Sequence, residues 1–223
     1  MERSRGRTSR DDVTTGFVVR SIQRRQGKNM TRDLFKADFV PFQYRRDRVD
    51  DCARYRIEYG HLETPRGDSP YTIVRMWEFV CVLAVVPGKE GEQARIALAL
   101  QYRYAVDAWQ LEMPAGKIEQ GESPLEAAAR ELREECGLVP EEMVDLGHVY
   151  PTAGSADEVA HLVAVRCAPG WVSTDFDMGE QVQTVLATRE ELERVLADGS
   201  FGQAVGYVAW MRAQAQGLID AWL

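Results

Sequence analysis

Long hydrophobic runs are missing from this chain of 223 residues. Its longest unbroken apolar segments include residues 79–86 and 96–100, far short of the roughly 20 residues that a membrane-spanning helix needs. The N-terminus also lacks the apolar core of a signal peptide. We therefore expect a cytoplasmic protein with no membrane partner.

Cysteine and histidine are few and scattered. The four cysteines lie far apart with no CxxC pair, so they predict no disulfide framework and indicate free thiols in a reducing compartment. The three histidines match no spacing typical of a metal site or of a catalytic nucleophile, and we interpret them as structural. These residues are Cys52, Cys81, Cys136 and Cys167, and His61, His148 and His161.

Positive charge is scarce outside the N-terminus. The net charge is −8, yet residues 1–48 hold 13 Lys or Arg against 6 Asp or Glu, while residues 49–223 hold 14 against 29. An acidic body repels nucleic acid and phosphorylated substrates unless cations lie between them. The charge distribution therefore disfavours a nucleic-acid partner and indicates that some carboxylates are metal ligands.

The chain does contain enough apolar material for one sizeable core, since 45% of its residues are hydrophobic. We interpret residues 1–48 as a flexible basic arm, residues 49–77 as an antiparallel β-hairpin subdomain and residues 78–223 as the main domain. In the main domain, strand-like and helical segments alternate irregularly, which favours a mixed sheet with helices packed on it. Residues 203–223 are predicted to form one long C-terminal helix.

The clearest local pattern predicts a helix over residues 124–136. Ser123 is a typical N-cap, Pro124 suits the first helical position and Glu126 completes a capping box. Gly137 is typical of the residue that ends a helix. Both ends of this helix are thus determined by the sequence nearby.

Three carboxylates share one face of this helix. At about 100° per residue, Glu131, Glu134 and Glu135 fall within a sector of about 100° beside the apolar stripe. Like charges three or four residues apart repel each other, so something must offset that repulsion. An acidic helix face is usually solvated and neutralised by neighbours such as Arg130 and Arg133, but the surrounding residues argue against that interpretation here.

Those residues complete a spaced motif. Gly116 is followed after five residues by Glu122, and after seven more by residues 130–138, which read RELREECGL. Every fixed position of the Nudix box is filled, and the sequence therefore resembles the Nudix hydrolases. The resemblance implies an α/β fold, namely the Nudix α/β/α sandwich with a mixed sheet, preceded by the N-terminal antiparallel β-hairpin.

The resemblance also implies a site that holds divalent cations, Mg²⁺ or alternatively Mn²⁺, over a diphosphate. Glu131 and Glu135 are the implied principal ligands, Glu134 belongs to the same cluster, and the Ala115 carbonyl completes one site. An ion pair between Glu122 and Arg130 is expected to hold the loop against the helix. The structural positions of the box are Gly116, Glu122, Arg130 and Gly137.

Segments outside the box resemble the ADP-ribose pyrophosphatase branch of the family. They are QYR at 101–103, LEMPAGKIE at 111–119, YPTAGSADE at 150–158 and GEQV at 179–182. The branch implies hydrolysis of the diphosphate bond of ADP-ribose or a related nucleoside diphosphate sugar, giving AMP (or another NMP) and a sugar phosphate. Glu180 is the implied catalytic base, Glu158 is the alternative, and Glu134 acts beside them in the metal cluster.

Three further residues are candidates for substrate binding. Arg103 follows an apolar strand and could contact a phosphate, while Glu112 could accept hydrogen bonds from ribose or adenine. In dimeric relatives the N-terminal hairpin is exchanged between subunits and stacks on the base, and Tyr71 lies at about that place. The resemblance therefore implies a homodimer formed through residues 49–77.

Two alternatives remain open. The chain could be a non-catalytic Nudix-like sensor of ADP-ribose, although such modules usually lose box glutamates and this chain keeps them all. It could also be a Nudix hydrolase of dinucleotides, capped RNA or other nucleoside diphosphate sugars.

Overall fold

The computed structural model describes residues 18–19, 41–171 and 182–223. Its strands are β1 (Val18–Val19), β2 (Gln43–Asp51), β3 (Arg56–Thr64), β4 (Gly67–Arg75), β5 (Phe79–Val86), β6 (Arg95–Arg103), β7 (Ala108–Glu112), β8 (Ala115–Lys117), β9 (Pro140–Val149), β10 (Ala160–Cys167) and β11 (Val182–Ala187). Its helices are α1 (Pro124–Cys136), α2 (Arg189–Asp198), α3 (Ala204–Ala215) and α4 (Leu218–Trp222). None of the helices in the described part of the chain is long and apolar enough to cross a membrane.

A small antiparallel sheet precedes the main domain and has three strands in the order β2-β3-β4. The prediction of a two-stranded hairpin over residues 49–77 missed β2, and the expected boundary after residue 48 falls inside that strand. The sequence of β2, QYRRDRVDD, is mostly charged and exposed, so it lacks the alternation that identifies a strand. Except for residues 18–19 and 41–48, the predicted flexible arm lies outside the described residues.

The main sheet is mixed, as predicted. Its strand order is β1-β9-β10-β5-β6-β11, with β7 paired to β6 and β8 paired to β5. Strand β10 runs parallel to β5 and β1 runs parallel to β9, whereas the other pairs are antiparallel. Strand β8, which carries the start of the box, pairs with β5, an inner strand that lies between β10 and β6.

Helices cover both faces of this sheet. Successive residues of a strand point to opposite faces, and in β5 Leu83 packs in one core with residues of α2, α3 and α4. Val82 packs in a second core with Leu132 and other apolar residues of α1. The α/β/α sandwich is therefore confirmed, with α1 alone on its face among the described helices.

Helix α1 begins and ends where the sequence predicts. The Ser123 side chain accepts a hydrogen bond from the Glu126 amide (3.3 Å), and the Glu126 carboxylate accepts one from the Ser123 amide (2.8 Å). Gly137 ends the helix with φ of 63°, a left-handed conformation that favours glycine. These caps fix where the acidic residues of α1 lie relative to the sheet.

The prediction of one C-terminal helix over residues 203–223 is wrong. Helix α3 ends at Ala215, and Gly217 adopts φ of 73° before α4 begins at Leu218. A left-handed residue cannot continue a right-handed helix, so the chain turns here. The turn lets Ile219 enter the core that also contains residues of α3.

Candidate active site

A cleft of about 990 Å³ opens between α1, the main sheet and the small sheet. Several acidic side chains line one wall, and side chains of mixed character, among them Arg54, Trp77 and Glu112, line the remainder. The predicted site residues that line it are Arg103, Glu112, Ala115, Gly116, Arg130, Glu131, Glu134, Glu135 and Glu158. Most of the residues singled out by the box and its flanking motifs are thus brought to one place.

The acidic wall consists of α1 and residues 115–122, and we call it the box wall. Glu131 is 12% exposed in its side chain and Glu134 is 37% exposed, while Glu135 is buried. The Ala115 amide donates a 3.1 Å hydrogen bond to the Glu135 carboxylate. Because Leu132 anchors the apolar side of α1 in the core, the helix presents these carboxylates to the cleft.

Gly116 is required by the packing of the box wall. A Cβ atom at this position would overlap the carboxylate of Glu131. The backbone of β8 and the carboxylate can approach this closely only because residue 116 has no side chain. The first fixed glycine of the box therefore makes room for one of its glutamates.

Arg130 joins the parts of the box wall. Its guanidinium donates two 3.0 Å bonds to Glu122, as predicted, and also bonds to Glu131 at 2.6 Å, to Glu134 at 2.9 Å and to the Lys117 carbonyl at 2.7 Å. The hydrogen bond from Arg130 holds the pKa of Glu122 below its ordinary value. The same carboxylates, with Glu122 the largest contribution, raise the pKa of Arg130.

The box wall carries carboxylate donors of the kind that hard divalent cations prefer. Among the described residues, no group of three or more His, Cys, Asp or Glu is arranged as a metal cage. Mg²⁺ usually keeps several waters and shares its shell with substrate phosphates, so one wall of carboxylates suffices. Glu131, Glu134 and Glu135 supply hard oxygen donors on that wall, and they are the residues that could hold the ion.

Arg103 and Glu112 form a bidentate ion pair at another side of the cleft. The two N–H···O distances are 2.8 Å and 2.6 Å. The Glu112 side chain is 9% exposed and that of Arg103 is 42% exposed. Much of the donor capacity of Arg103 that was predicted for a phosphate is therefore directed at Glu112.

The small sheet meets the main domain where β4 contacts residues 151–158, a contact that we call the junction. The Val74 amide bonds to the Ser155 carbonyl (2.8 Å), and the Asp157 amide bonds to the Val74 carbonyl (3.2 Å). Asp157 accepts hydrogen bonds from the Met76 amide (2.8 Å) and from Arg75 (3.2 Å). The junction thus fixes the loop that carries Glu158 to the cleft.

The junction also determines where Tyr71 lies. Its hydroxyl donates a 3.0 Å hydrogen bond to the Gly154 carbonyl, and Tyr71 does not line the cleft of its own chain. The role predicted for it involves a second subunit and stays a prediction. Glu158 accepts a 3.4 Å hydrogen bond from the Thr152 hydroxyl, whereas Glu180 lies outside the described residues.

Comparison with known families decides the ancestry of this site. The sequence model of the NUDIX domain matches residues 78–207, which is more than half of the chain. The chain belongs to the Nudix family. The spaced motif at 116–138 therefore lies within the matched Nudix domain.

Relatives and a solved structure agree with this assignment. The ADP-ribose pyrophosphatase of Bacillus subtilis (strain 168) is 31% identical over 163 residues, covering 70% of this chain and 85% of the relative. That of Escherichia coli (strain K12) is 29% identical over 221 residues, covering 95% and 98%. A crystal structure described as an ADP compounds hydrolase superposes with a TM-score of 0.66 at 21% identity, covering 83% of this chain and all of that one, and supports the Nudix fold.

Several residues of this Nudix site could not be recognised from the motif. Arg54, from the turn between β2 and β3, and Trp77, just after β4, line the cleft from outside the matched segment. Lys117 lies at a variable position of the box, and its ammonium sits 3.6 Å from the centroid of the Trp77 ring. Gln203 bonds to both the amide (3.0 Å) and the carbonyl (3.2 Å) of Met113, which joins α3 to the strand before the box.

Proposed function

We propose that this protein hydrolyses the diphosphate bond of ADP-ribose, or of a closely related nucleoside diphosphate sugar, to AMP (or NMP) and a sugar phosphate. The observation that carries the proposal is the box wall, where Glu131, Glu134 and Glu135 line one cleft. Membership of the Nudix family and relatives named ADP-ribose pyrophosphatase, one of them matched over 95% of this chain, support it. These glutamates are the residues that a silent sensor usually loses.

Mg²⁺, with Mn²⁺ as a substitute, would be held by Glu131, Glu134 and Glu135, with the Ala115 carbonyl as a further donor. When bound, such an ion offsets the charge of a diphosphate and lowers the pKa of a coordinated water. The protein itself orients these carboxylates, because Arg130 bonds to two of them and the Ala115 amide bonds to the third. Preorganised ligands reduce the reorganisation that the reaction needs.

A glutamate outside the box would accept the proton of the attacking water. Glu180 is the implied base, and Glu158, which lines the cleft, is the alternative. The variants Glu180→Gln and Glu158→Gln decide between them. Loss of the base lowers kcat strongly with little change in KM, whereas the other variant keeps its turnover.

The remaining groups would position the substrate. Glu112 has a fixed carboxylate at the cleft wall and could accept a hydrogen bond from a ribose hydroxyl, and Arg103 lies beside it to meet a phosphate. We further propose a cytoplasmic homodimer in which the small sheet, including Tyr71, completes the partner's site. All four cysteines are free, which is consistent with a reducing cytoplasm. The proposed dimer is tested by sedimentation velocity, which measures the oligomeric state.

The test is incubation with ADP-ribose and a panel of nucleoside diphosphate sugars and dinucleotides, with Mg²⁺, with Mn²⁺ and with a chelator. Products are identified by mass spectrometry. We expect AMP and ribose 5-phosphate from ADP-ribose in the presence of either ion and none with the chelator. Binding of ADP-ribose that raises the melting temperature without any hydrolysis would support the sensor instead.

A further inference from the structure

Four basic side chains line the cleft among the described residues, and they fall into two classes. Arg130 bonds to Glu122, Glu131 and Glu134, and Arg103 forms its bidentate pair with Glu112. These two arginines compensate carboxylates of the protein itself. They hold the walls of the cleft together, and much of their hydrogen-bonding capacity is directed at these carboxylates.

The other two cations, Arg54 and Lys117, have no carboxylate within 4.0 Å in the part of the chain that the structure describes. The Lys117 ammonium lies over the Trp77 ring, 3.6 Å from its centroid. A cation–π contact at a partly exposed ring is weaker than a charge-assisted hydrogen bond to a phosphate. Lys117 can therefore exchange Trp77 for an anion at low cost.

Lys117 is anchored next to the box wall. It follows Gly116 on β8, where the backbone packs against the Glu131 carboxylate, and its carbonyl accepts a 2.7 Å hydrogen bond from Arg130. Its backbone is thus fixed beside the carboxylates while its side chain extends toward Trp77. Arg54 enters the same cleft from the other sheet, in the turn between β2 and β3.

The side chains that line the cleft carry more negative than positive charge, so the binding of an anion depends on cations such as Arg54 and Lys117. Six carboxylate residues line it against four basic ones, so an anionic ligand meets a repulsive surface unless cations contact it directly. Arg103 and Arg130 already form ion pairs with carboxylates of the cleft wall. Among the described residues, the cleft cations without a carboxylate partner that a phosphate group can contact are therefore Arg54 and Lys117.

We propose that Lys117 and Arg54 bind the diphosphate oxygens of the substrate, and that Lys117 leaves the face of Trp77 to do so. The inference rests on the proposed function for the nature of the substrate, a nucleoside diphosphate derivative. Since the contacts go to phosphate oxygens, they contribute affinity for the diphosphate and no selectivity for base or sugar. Arg103, with two of its N–H groups bonded to Glu112, then has a secondary part in binding the phosphate.

The first experiment measures binding of inorganic pyrophosphate by isothermal titration calorimetry in the presence of Mg²⁺. We expect Kd to rise about tenfold in Lys117→Gln and in Arg54→Gln, and about a hundredfold in the double variant. Lys117→Arg should retain most of the affinity, because it keeps the charge. Matched controls are Lys89→Gln and Arg66→Gln, whose exposed cations lie in hairpin turns away from the cleft. A Kd within about twofold of the wild type in both cleft variants overturns the proposal.

Steady-state kinetics with ADP-ribose separates this inference from the proposed function. We expect KM to rise about tenfold in each cleft variant while kcat changes much less, because the contacts bind ground state and transition state alike. Unchanged KM with intact hydrolysis contradicts the inference and leaves the proposed function standing. Pyrophosphate binding that depends on Lys117, in a protein that does not hydrolyse ADP-ribose, supports the inference and contradicts the proposed function.

Tryptophan fluorescence tests the movement of Lys117. Removing the ammonium from the Trp77 ring changes the surroundings of that indole, so pyrophosphate should shift the emission of the wild type. The shift should be absent in Trp77→Phe. An emission spectrum that does not respond to pyrophosphate in the wild type contradicts the proposed exchange.

Discussion

The box wall and the junction form two sides of one cleft, but the contacts within each region join residues at very different separations in the sequence. In the box wall, Arg130 and Glu122 are 8 residues apart in sequence, and Ala115 and Glu135 are 20 apart. At the junction, Arg75 and Asp157 are 82 residues apart. One continuous segment thus carries the carboxylates, whereas the junction requires two distant parts of the chain to meet.

This difference separates two kinds of contribution to activity. The box wall presents the groups that would meet the cation, so changes there act directly on the reaction. The junction carries backbone hydrogen bonds and one exposed ion pair, so changes there act on how the cleft is assembled. Substitutions in the box wall should therefore lower activity more than substitutions at the junction.

Removing one carboxylate charge from the box wall should have the largest effect. We expect Glu135→Gln to lower kcat at least about a hundredfold, because the proposed metal site would lose a charged ligand. The fold should persist, since the glutamine oxygen can still accept the hydrogen bond from Ala115. Turnover of ADP-ribose and the melting temperature are the measurements. Glu190→Gln, an exposed glutamate of α2, is the control, and wild-type turnover in Glu135→Gln would refute the ligand assignment.

A methyl group in the box wall should have the next largest effect. Gly116→Ala places a Cβ atom where the Glu131 carboxylate lies, so that carboxylate must move. We expect kcat to fall about tenfold, because small displacements of catalytic groups are costly. Gly154→Ala is the matched control, since its Cβ atom would meet nothing within 4 Å. Equal rates for the two variants would show that the close packing at Gly116 is unimportant.

A change at the junction should act through stability and assembly. Arg75→Gln removes ion pairs to Asp157 and to Glu58, whose side chain is only 7% exposed. We expect the free energy of unfolding to fall, because Glu58 loses its bond to Arg75 and keeps its 3.3 Å bond to Arg46, and kcat to fall about threefold, as measured by urea denaturation and turnover. In the control Arg56→Gln, the lost pair with Asp51 is exposed on both sides and its effect on stability should be close to zero. A larger loss of activity in Arg75→Gln than in Gly116→Ala would contradict the division between the two regions.

The smallest effect is a pH dependence of that same ion pair. The hydrogen bond from Arg75 holds the pKa of Glu58 below its ordinary value. A lowered folded pKa stabilises the protein above the unfolded pKa, and this stabilisation disappears as pH falls through the folded pKa. The difference in unfolding free energy between the wild type and Arg75→Gln should therefore be largest near neutral pH and shrink on acidification. A difference that grows toward acid pH would assign the wrong sign to the interaction.

The box wall could be predicted because its determinants are local. Ser123, Glu126 and Gly137 set the ends of α1, and the 3.6-residue period then places Glu131, Glu134 and Glu135 on one side. Even the pair of Glu122 and Arg130 follows from the spacing of the motif. The sequence also offers Arg130 as an ordinary neutralising neighbour of the acidic face, and the structure shows that it bonds to Glu131 and Glu134 as well as to Glu122.

The junction and the small sheet could not be predicted, because nothing local marks them. Strand β2 is held by pairing with β3 and has no apolar alternation of its own. Asp157 is one of many loop acids until Arg75 and the Met76 amide are brought to it by the fold. The break at Gly217 could not be predicted either, because the residues on both sides of this glycine have a helical pattern.

The connection between the two sheets has a consequence for shortened forms of the protein. Strand β4 ends at Arg75 and β5 begins at Phe79, and Met76 and Trp77, between them, both line the cleft. A chain cut to begin at residue 78, where the Nudix domain match starts, would retain every carboxylate of the box wall. It would lose the Trp77 indole, the Arg54 guanidinium and all of β4. We therefore expect the smallest active form to be longer than the matched segment, with an N-terminal limit before β2 that a deletion series would measure.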